Sequence, residues 1–331
     1  MNYRTLGKTG IKISELGIGG GMFHHYSKQG VDDAKIIIDR AIDLGINYID
    51  TAPAYGDSEK VIGEVFNTEK RDCVLSTKLG GKPVPFDPRD KGTLRRSIDE
   101  SLRLLGRDSI DVLFIHEPDR PQQYDWFDDR NNLHGPVTEL IEELKAEGII
   151  KFAGIAGTTV YEMMNLVRTG LFDVLLTAFN SSLLWQESLR FLIPEAKKMD
   201  MGVVVGSPLQ HGALACLYPD EIENNAPWLS LPRRKQFKKL YEYVNDLKIP
   251  VSVLGLRYMI SNKDISSVLM GVGSISELEE NAGTIDAGPL DEEIISRINE
   301  IADLVPFRPY EEPYKLPFGT DYAGPGHIGK L

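Results

Sequence analysis

The chain holds only two cysteines, Cys73 and Cys216, and they lie far apart without a CxxC spacing. That argues against both a disulfide framework and a cysteine-based zinc site. Long apolar runs are also missing: nothing approaches the roughly 18 consecutive apolar residues of a membrane helix. The first residues, Met1-Asn2-Tyr3-Arg4-Thr5, have no signal-peptide core. Basic charge is scarce, with 37 Lys and Arg against 49 Asp and Glu and a formal net charge of −12. Such a chain has no basic face for extended nucleic-acid binding or for an anionic membrane surface, although a single small anion can still bind at backbone amides. The nucleotide fingerprint of an open α/β sheet is incomplete, because Gly17-Ile18-Gly19-Gly20-Gly21-Met22 lacks the third glycine and no helical pattern starts there. No low-complexity linker divides the sequence. Together these absences predict a cytoplasmic protein with neither nucleic-acid nor membrane partners, built as one domain over residues 1–331.

What is present is a regular alternation of short apolar runs and helical patterns, in a chain whose 42% apolar residues suffice for a full core. Tyr3 to Leu6 and Ile11 to Ser14 flank Gly7-Lys8-Thr9-Gly10, which has the turn chemistry of a capping hairpin. Strands are predicted at Leu16 to Gly19, Tyr48 to Asp50, Cys73 to Thr77, Ile110 to Ile115, Phe152 to Ala156, Val174 to Phe179, Gly202 to Ser207 and Ser267 to Met270. Helices are predicted near Val31 to Leu44, Ser58 to Phe66, Thr93 to Leu105, Val137 to Leu144, Val160 to Arg168, Leu189 to Met199 and Arg233 to Leu247. Glu117 to Gly135 and Pro208 to Pro232 read as long loops, and Pro306 to Leu331 as a tail over one face. Eight such units without a composition break fit a closed (β/α)₈ barrel, an α/β TIM barrel with an N-terminal β-hairpin, better than a doubly wound sheet.

A barrel gathers the C-terminal ends of its strands at one mouth, whatever their sequence separation. Asp50 ends the second barrel strand, Lys78 lies at the end of the third and His116 at the end of the fourth, while Tyr55 stands just beyond Asp50. These four suit proton transfer at a carbonyl or alcohol oxygen. An ammonium beside a phenol favours the phenolate, so Lys78 is expected to lower the pKa of Tyr55, with Asp50 holding Lys78 protonated and neutral His116 orienting the substrate oxygen. None of them carries hydride, which calls for a nicotinamide.

Asn47-Tyr48-Ile49-Asp50-Thr51-Ala52-Pro53-Ala54-Tyr55-Gly56, with Ser58-Glu59 and Ile62-Gly63, resembles the signature of the aldo-keto reductase superfamily. Thr77-Lys78-Leu79-Gly80, Asp111 to His116 with Pro118-Asp119, Gly148 with Gly154-Ile155, and Ser207-Pro208-Leu209 with Gly212 resemble its later blocks in order. The likeness spans nearly the whole chain. It implies a (β/α)₈ barrel, NAD(P)-linked carbonyl–alcohol chemistry and a catalytic set of Asp50, Tyr55, Lys78 and His116. Asn262 to Gly271, continuing to Glu280-Asn281, is similar to the branch that contains sugar dehydrogenases acting on L-galactose and D-threo-aldoses. That similarity implies oxidation of an aldose at its anomeric carbon to the lactone, with Tyr55 as proton acceptor.

The same likeness implies cofactor contacts from Gly20, Asp50, Asn180, Ser207, Pro208, Leu209, Gly212, Gly271, Gly273, Ser274, Glu277, Glu280 and Asn281. Departures accompany it. Ala156-Gly157 stand where many members have Ser-Asn, Leu176 stands for a glutamine, and Gly206 for a tyrosine that stacks on the nicotinamide. Gly271-Val272-Gly273-Ser274 matches a phosphate-binding turn before a helix, whose free amides suit an anion. No basic residue stands at Gly273 or Ser274 to pair with a 2′-phosphate, and Glu277 and Glu280 repel one, so NAD is expected over NADP.

For the small-molecule sugar or aldehyde, contacts are expected from Phe23, His24, Tyr55, His116 and Trp126, with Met22, Tyr26 and Phe127 as further aromatic candidates. No metal is expected, since His24-His25 has no nearby Cys or carboxylate cluster. His211 reads as solvated. Three functions remain open on sequence: an NAD-dependent aldose dehydrogenase, a general NADPH-dependent aldehyde or ketone reductase, and a non-catalytic nucleotide-binding barrel that regulates a partner. Oligomeric state is left open.

Overall fold

The chain begins with the expected hairpin, β1 (Tyr3–Thr5) paired antiparallel with β2 (Lys12–Ser14), in a computed structural model that describes residues 1–27, 31–68, 72–226 and 229–307. Its turn carries Gly7 and Gly10 at positive φ. Eight parallel strands follow and close on themselves: β3 (Leu16–Gly19), β4 (Tyr48–Asp50), β5 (Val74–Leu79), β6 (Ile110–His116), β7 (Ile150–Gly157), β8 (Val174–Ala178), β9 (Gly202–Gly206) and β10 (Ser267–Met270). Each pairs with its sequence neighbour, and β10 returns to β3 through Val268↔Leu16. The predicted barrel is therefore the observed one.

Side-chain alternation divides the core in two. Tyr48, Val112, Phe114, Val174, Leu176, Val204 and Leu269 fill the barrel, while Ile49, Leu113, Ile115, Leu175 and Val205 pack outward. The inner cluster also contains Leu6 and Ile13 from the hairpin, both fully buried. The hairpin thus plugs the barrel at the N-terminal ends of the strands. Lys8 N donates to Asp200 O (2.7 Å) just before β9, and Ser14 N to Asn47 Oδ1 (2.8 Å) just before β4.

The outer layer is α1 (Asp32–Asp43), α2 (Ser58–Thr68), α3 (Lys91–Leu105), α4 (Pro136–Ala146), α5 (Val160–Arg168), α6 (Ile193–Lys198), α7 (Leu231–Leu247), α8 (Val251–Ser261), α9 (Ile275–Asp286) and α10 (Glu292–Ala302). Gly63 in the middle of α2 lets it press on α3, since a Cβ there would lie 1.9 Å from the Leu104 carbonyl oxygen. The helix expected over Leu189 to Met199 is not uniform: Ser188–Leu192 is π-helical before α6 begins. Pro194 has no N–H for a regular bond and its ring crowds the preceding turn, which widening relieves. The loop expected from Pro208 to Pro232 contains short helical turns at Gln210–Gly212 and Glu221–Asn225.

Two helices go beyond the sequence reading. α8 buries Val251, Leu254, Leu256, Tyr258, Met259 and Ile260, so apolar residues surround its axis and no amphipathic period stands out. α10 does have a period, in Ile294, Ile298 and Ile301, but one turn of it is only partly buried. The tail expected over one face lies, beyond Phe307, outside the described residues. Among the described residues no helix is long and apolar enough to cross a membrane.

Candidate active site

Asp50, at the C-terminal end of β4, is 2% exposed and bound on both carboxylate oxygens. Lys78 Nζ donates to Oδ2 at 2.6 Å and Ser76 Oγ to Oδ1 at 2.6 Å. Register explains this: Asp50 pairs with Ser76 across β4 and β5, and Lys78 lies two residues further along the same face. Ser76 is itself held by the Tyr48 hydroxyl inside the barrel, 2.9 Å away. The intervening Thr77 points the other way and donates to Glu59 of α2 at 2.6 Å. Burying Lys78 to 1% exposure costs heavily unless its donors are filled, and Thr51 O takes a second bond at 2.7 Å.

The expected four residues meet. Lys78 Nζ sits 4.9 Å from the centroid of the Tyr55 ring, and the Tyr55 and His116 rings meet edge to face with centroids 5.9 Å apart. Burial alone would push Lys78 down, but Asp50 and Tyr55 outweigh it and hold the ammonium above its ordinary pKa. His116 is driven down to about 3 by burial, then by the charges of Lys78 and Arg120, so it is neutral as expected.

Tyr55 corrects the sequence reading. Lys78 does pull its pKa down, but burial is the larger influence, and Asp50 and Glu117 add to it, so the net direction is upward. The phenol therefore holds its proton through neutral pH and is in that state a proton donor.

The remaining predicted residues divide. Gly20 lies against Asp50 and Ser58: a Cβ there would come within 2.8 Å of Asp50 O and Ser58 Oγ, and Ser58 Oγ donates to Gly20 O at 2.7 Å. The 3-10 stretch Gly20–Ser27 then crosses toward Gly271 and Gly273. Tyr26 OH donates to Gly273 O at 3.4 Å, and Met22 Cγ lies 3.4 Å from where a Cβ on Gly271 would stand. Phe23 is buried, whereas His24 is half-buried, with Nδ1 2.6 Å from Gly21 O, and lies beside Gly56. Trp126 is fully buried against Phe86 and Tyr124, next to His116 across Gly80, and its indole nitrogen has no partner among the described residues. Among the described residues no cluster of His, Cys, Asp and Glu could hold a metal.

Asn180 is buried and spends its amide nitrogen on Thr158 O. The loop of Ser207, Pro208, Leu209 and Gly212 is pinned to the residue just after β8 by Gln210 Nε2, which donates to Phe179 O at 2.8 Å. His211 is exposed, as expected, and stacks on Phe179 with centroids 4.6 Å apart. At the start of α9 two amides of the expected anion-binding turn, those of Gly273 and Glu277, have partners within the turn. Ser274 Oγ accepts from Glu277 N at 3.2 Å while Glu277 Oε2 accepts from Gly273 N at 2.9 Å, a reciprocal capping box that consumes two amides and installs a carboxylate. The Glu277 side chain thereby stands at the mouth of the turn, directly on the Gly273 amide. Gly271, Glu280 and Asn281 border the same exposed end, with Glu280 O bonded to Thr284 within the helix.

Sequence reasoning did not single out Ser76, Tyr48, Glu117 or Arg120 for the site. The first two were visible only as polar groups in otherwise apolar strands. For Glu117 the one available signal is its place directly after His116.

The family model for the Aldo/keto reductase family matches residues 15–303 of the chain. The sequence is 31% identical over 320 residues to an L-galactose dehydrogenase of Arabidopsis thaliana, covering 92% of this chain and 95% of that protein. It is 27% identical over 306 residues to a D-threo-aldose 1-dehydrogenase of a Pseudomonas species, covering 82% and 89%. Among solved structures, the holo form of an aldo-keto reductase from Bacillus halodurans superposes with a TM-score of 0.73 at 25% identity, over 91% of this chain and 96% of that one.

Proposed function

Because the chain belongs to the aldo/keto reductase family of oxidoreductases, we propose that it oxidises an aldose at the anomeric carbon to the lactone, with NAD as the preferred cofactor. The observation that carries the chemistry is the buried Asp50–Lys78 pair at 2.6 Å beneath Tyr55, with neutral His116 at the edge of the phenol. When bound, the nicotinamide supplies or accepts the hydride. Tyr55 carries the proton to or from the substrate oxygen. Lys78 supports the phenolate whenever it forms, Asp50 keeps Lys78 charged and fixed, and His116 donates a hydrogen bond that orients the oxygen.

The sugar assignment is supported by the two sugar dehydrogenases to which the chain is similar. The choice of NAD is supported by the carboxylate of Glu277 at the start of α9, where a second phosphate dianion would be repelled. We take residues 1–331 to be one barrel domain working in the cytoplasm. One observation favours a second reading, reduction of an aldehyde or ketone: the upward pKa of Tyr55 leaves it a proton to give. A panel of aldoses and simple aldehydes, followed in both directions at the nicotinamide absorbance with each cofactor, decides between the two. Turnover of aldehydes alone, or a strong advantage for NADPH, replaces the first reading by the second.

A further inference from the structure

The end of β6 carries a charged pair next to the reacting groups. Glu117 follows His116 directly, its N donating to Ala156 O at 2.7 Å, with the backbone in the left-handed region at φ +52°. Non-glycine residues in that region are strained and persist where the surrounding structure holds them, often beside a ligand. Arg120 bonds back to this turn, N to Glu117 O at 3.1 Å, and reaches across to the residue just after β7 with Nη2 on Thr158 Oγ1 at 2.6 Å. Its Nη1 lies 3.5 Å from Glu117 Oε1, and the two side chains are only 17% and 18% exposed. The pair acts on the reacting groups: Glu117 helps push Tyr55 up, and Arg120 helps push His116 down.

Such a pair is costly if it serves packing alone. Withdrawing a carboxylate and a guanidinium from water costs several kcal/mol per ion unless close bonds compensate. A 3.5 Å separation is looser than the roughly 2.7–2.9 Å of a charge-assisted hydrogen bond. Burial accordingly holds the Glu117 carboxyl above its ordinary pKa, against the pull of Arg120. A carboxylate has about four acceptor sites, and its hydrogen bond to Gln123 and the distant Arg120 leave capacity over. Ala156, Leu176, Ala178 and Gly206, at the ends of the strands that follow, offer no side-chain hydrogen-bonding group. A polyhydroxylated ligand supplies the missing partners; a plain aldehyde does not.

We propose that Glu117, backed by Arg120, is the specificity-determining residue of the substrate pocket, its carboxylate accepting hydrogen bonds from the sugar hydroxyls that flank the reacting carbon. This rests on the sugar-oxidising reading above and names the residue that enforces it. The experiment compares an aldose with an unsubstituted cyclic lactol, which has the same hemiacetal and none of the other ring hydroxyls. Wild type, Glu117→Gln and Glu117→Ala are assayed with both substrates, and cofactor affinity is measured by fluorescence titration. Glu117→Ala is expected to lower the ratio of kcat/KM for aldose over lactol by about tenfold or more, chiefly through KM for the aldose. Cofactor affinity should stay near wild type; the field of Glu117 on Tyr55 moves turnover of both substrates alike, so the ratio reports the hydroxyl contacts, and Glu117→Gln, which keeps size and one acceptor, should fall between. An unchanged ratio in both variants, or equal losses on both substrates, overturns the role of Glu117. Should Glu117→Ala fail to fold, the isosteric Glu117→Gln decides alone, a ratio within about twofold of wild type counting against the proposal. If wild type oxidises the lactol but no aldose, the sugar reading itself fails, whatever the variants do.

Discussion

Ser76 donates its hydroxyl hydrogen to the oxygen of Asp50 that Lys78 leaves open, so the carboxylate is gripped from both sides at 2.6 Å. Ser76 in turn contacts the buried hydroxyl of Tyr48, and the network runs from the barrel interior to its mouth. Replacing Ser76 by Ala strands a buried carboxylate oxygen and a buried phenol, at a cost of about 1–3 kcal/mol. Ser76→Ala is expected to lower kcat about tenfold while leaving cofactor affinity intact, and Ser76→Thr, which restores a hydroxyl, to recover most of it. Steady-state kinetics together with urea unfolding checks both effects; full activity in Ser76→Ala would show that Lys78 alone positions Asp50.

The pH dependence follows from Tyr55. Burial raises its pKa, so in the oxidative direction kcat/KM should climb through the alkaline range without levelling off below the ordinary tyrosine value of about 10. Reduction should be flat over the same range, because the phenol already carries its proton. Tyr55→Phe should abolish turnover while cofactor still binds. Rate profiles in both directions test this, and a plateau of the oxidative profile near neutrality would falsify the assignment.

His116 bears on acid stability rather than on rate near neutrality. Its pKa is about 3 in the folded chain, against about 6.5 when unfolded, so between those values the unfolded chain binds the extra proton. The stability is fully present above about pH 6.5 and is lost as pH falls toward 3. Urea unfolding as a function of pH should show a shallower acid limb for His116→Gln than for wild type. Parallel limbs would mean that other groups dominate.

Glu277 gives the cofactor prediction. Glu277→Gln keeps the capping geometry and removes the charge, whereas Glu277→Arg also adds a phosphate partner. The preference for NAD over NADP should fall in the first variant and by about tenfold, ~1.4 kcal/mol, in the second. Initial rates with both cofactors measure it, and an unmoved ratio removes Glu277 from the selection.

The hairpin plug predicts stability without activity. Leu6 is fully buried in the barrel interior, where its side chain meets Gly202 at the start of β9. Leu6→Ala should cost about 2–5 kcal/mol in chemical unfolding. Its kcat should hardly change, since Asp50, Tyr55, Lys78 and His116, the groups of the proposed mechanism, sit at the other end of the strands; a large loss of kcat at full occupancy of both substrates would contradict that separation.

Much of this was legible in the residues. Leu16–Gly19, Tyr48–Asp50 and Ser267–Met270 are strands with the predicted bounds, because a strand buried on both faces writes a short apolar run between turn residues. α8 was not legible for the opposite reason: buried nearly all round, it writes no period at all. The capping box at Ser274 and Glu277 has the right spacing for its motif, yet its consequence for the Gly273 amide shows only in three dimensions.

Sequence by itself determined which groups meet at the barrel mouth. Asp50, Tyr55, Lys78 and His116 stand at or just beyond strand ends, and barrel closure makes neighbours of them whatever their separation along the chain. Tertiary structure alone decided how those groups are charged and what surrounds them. The pKa of Tyr55 is the outcome of burial against the field of Lys78, and opposing influences cannot be ranked from residue order. The same holds for Ser76 on Asp50 and for Glu117 beside Tyr55: identity and spacing are local facts, whereas desolvation and distance exist only once the barrel has closed.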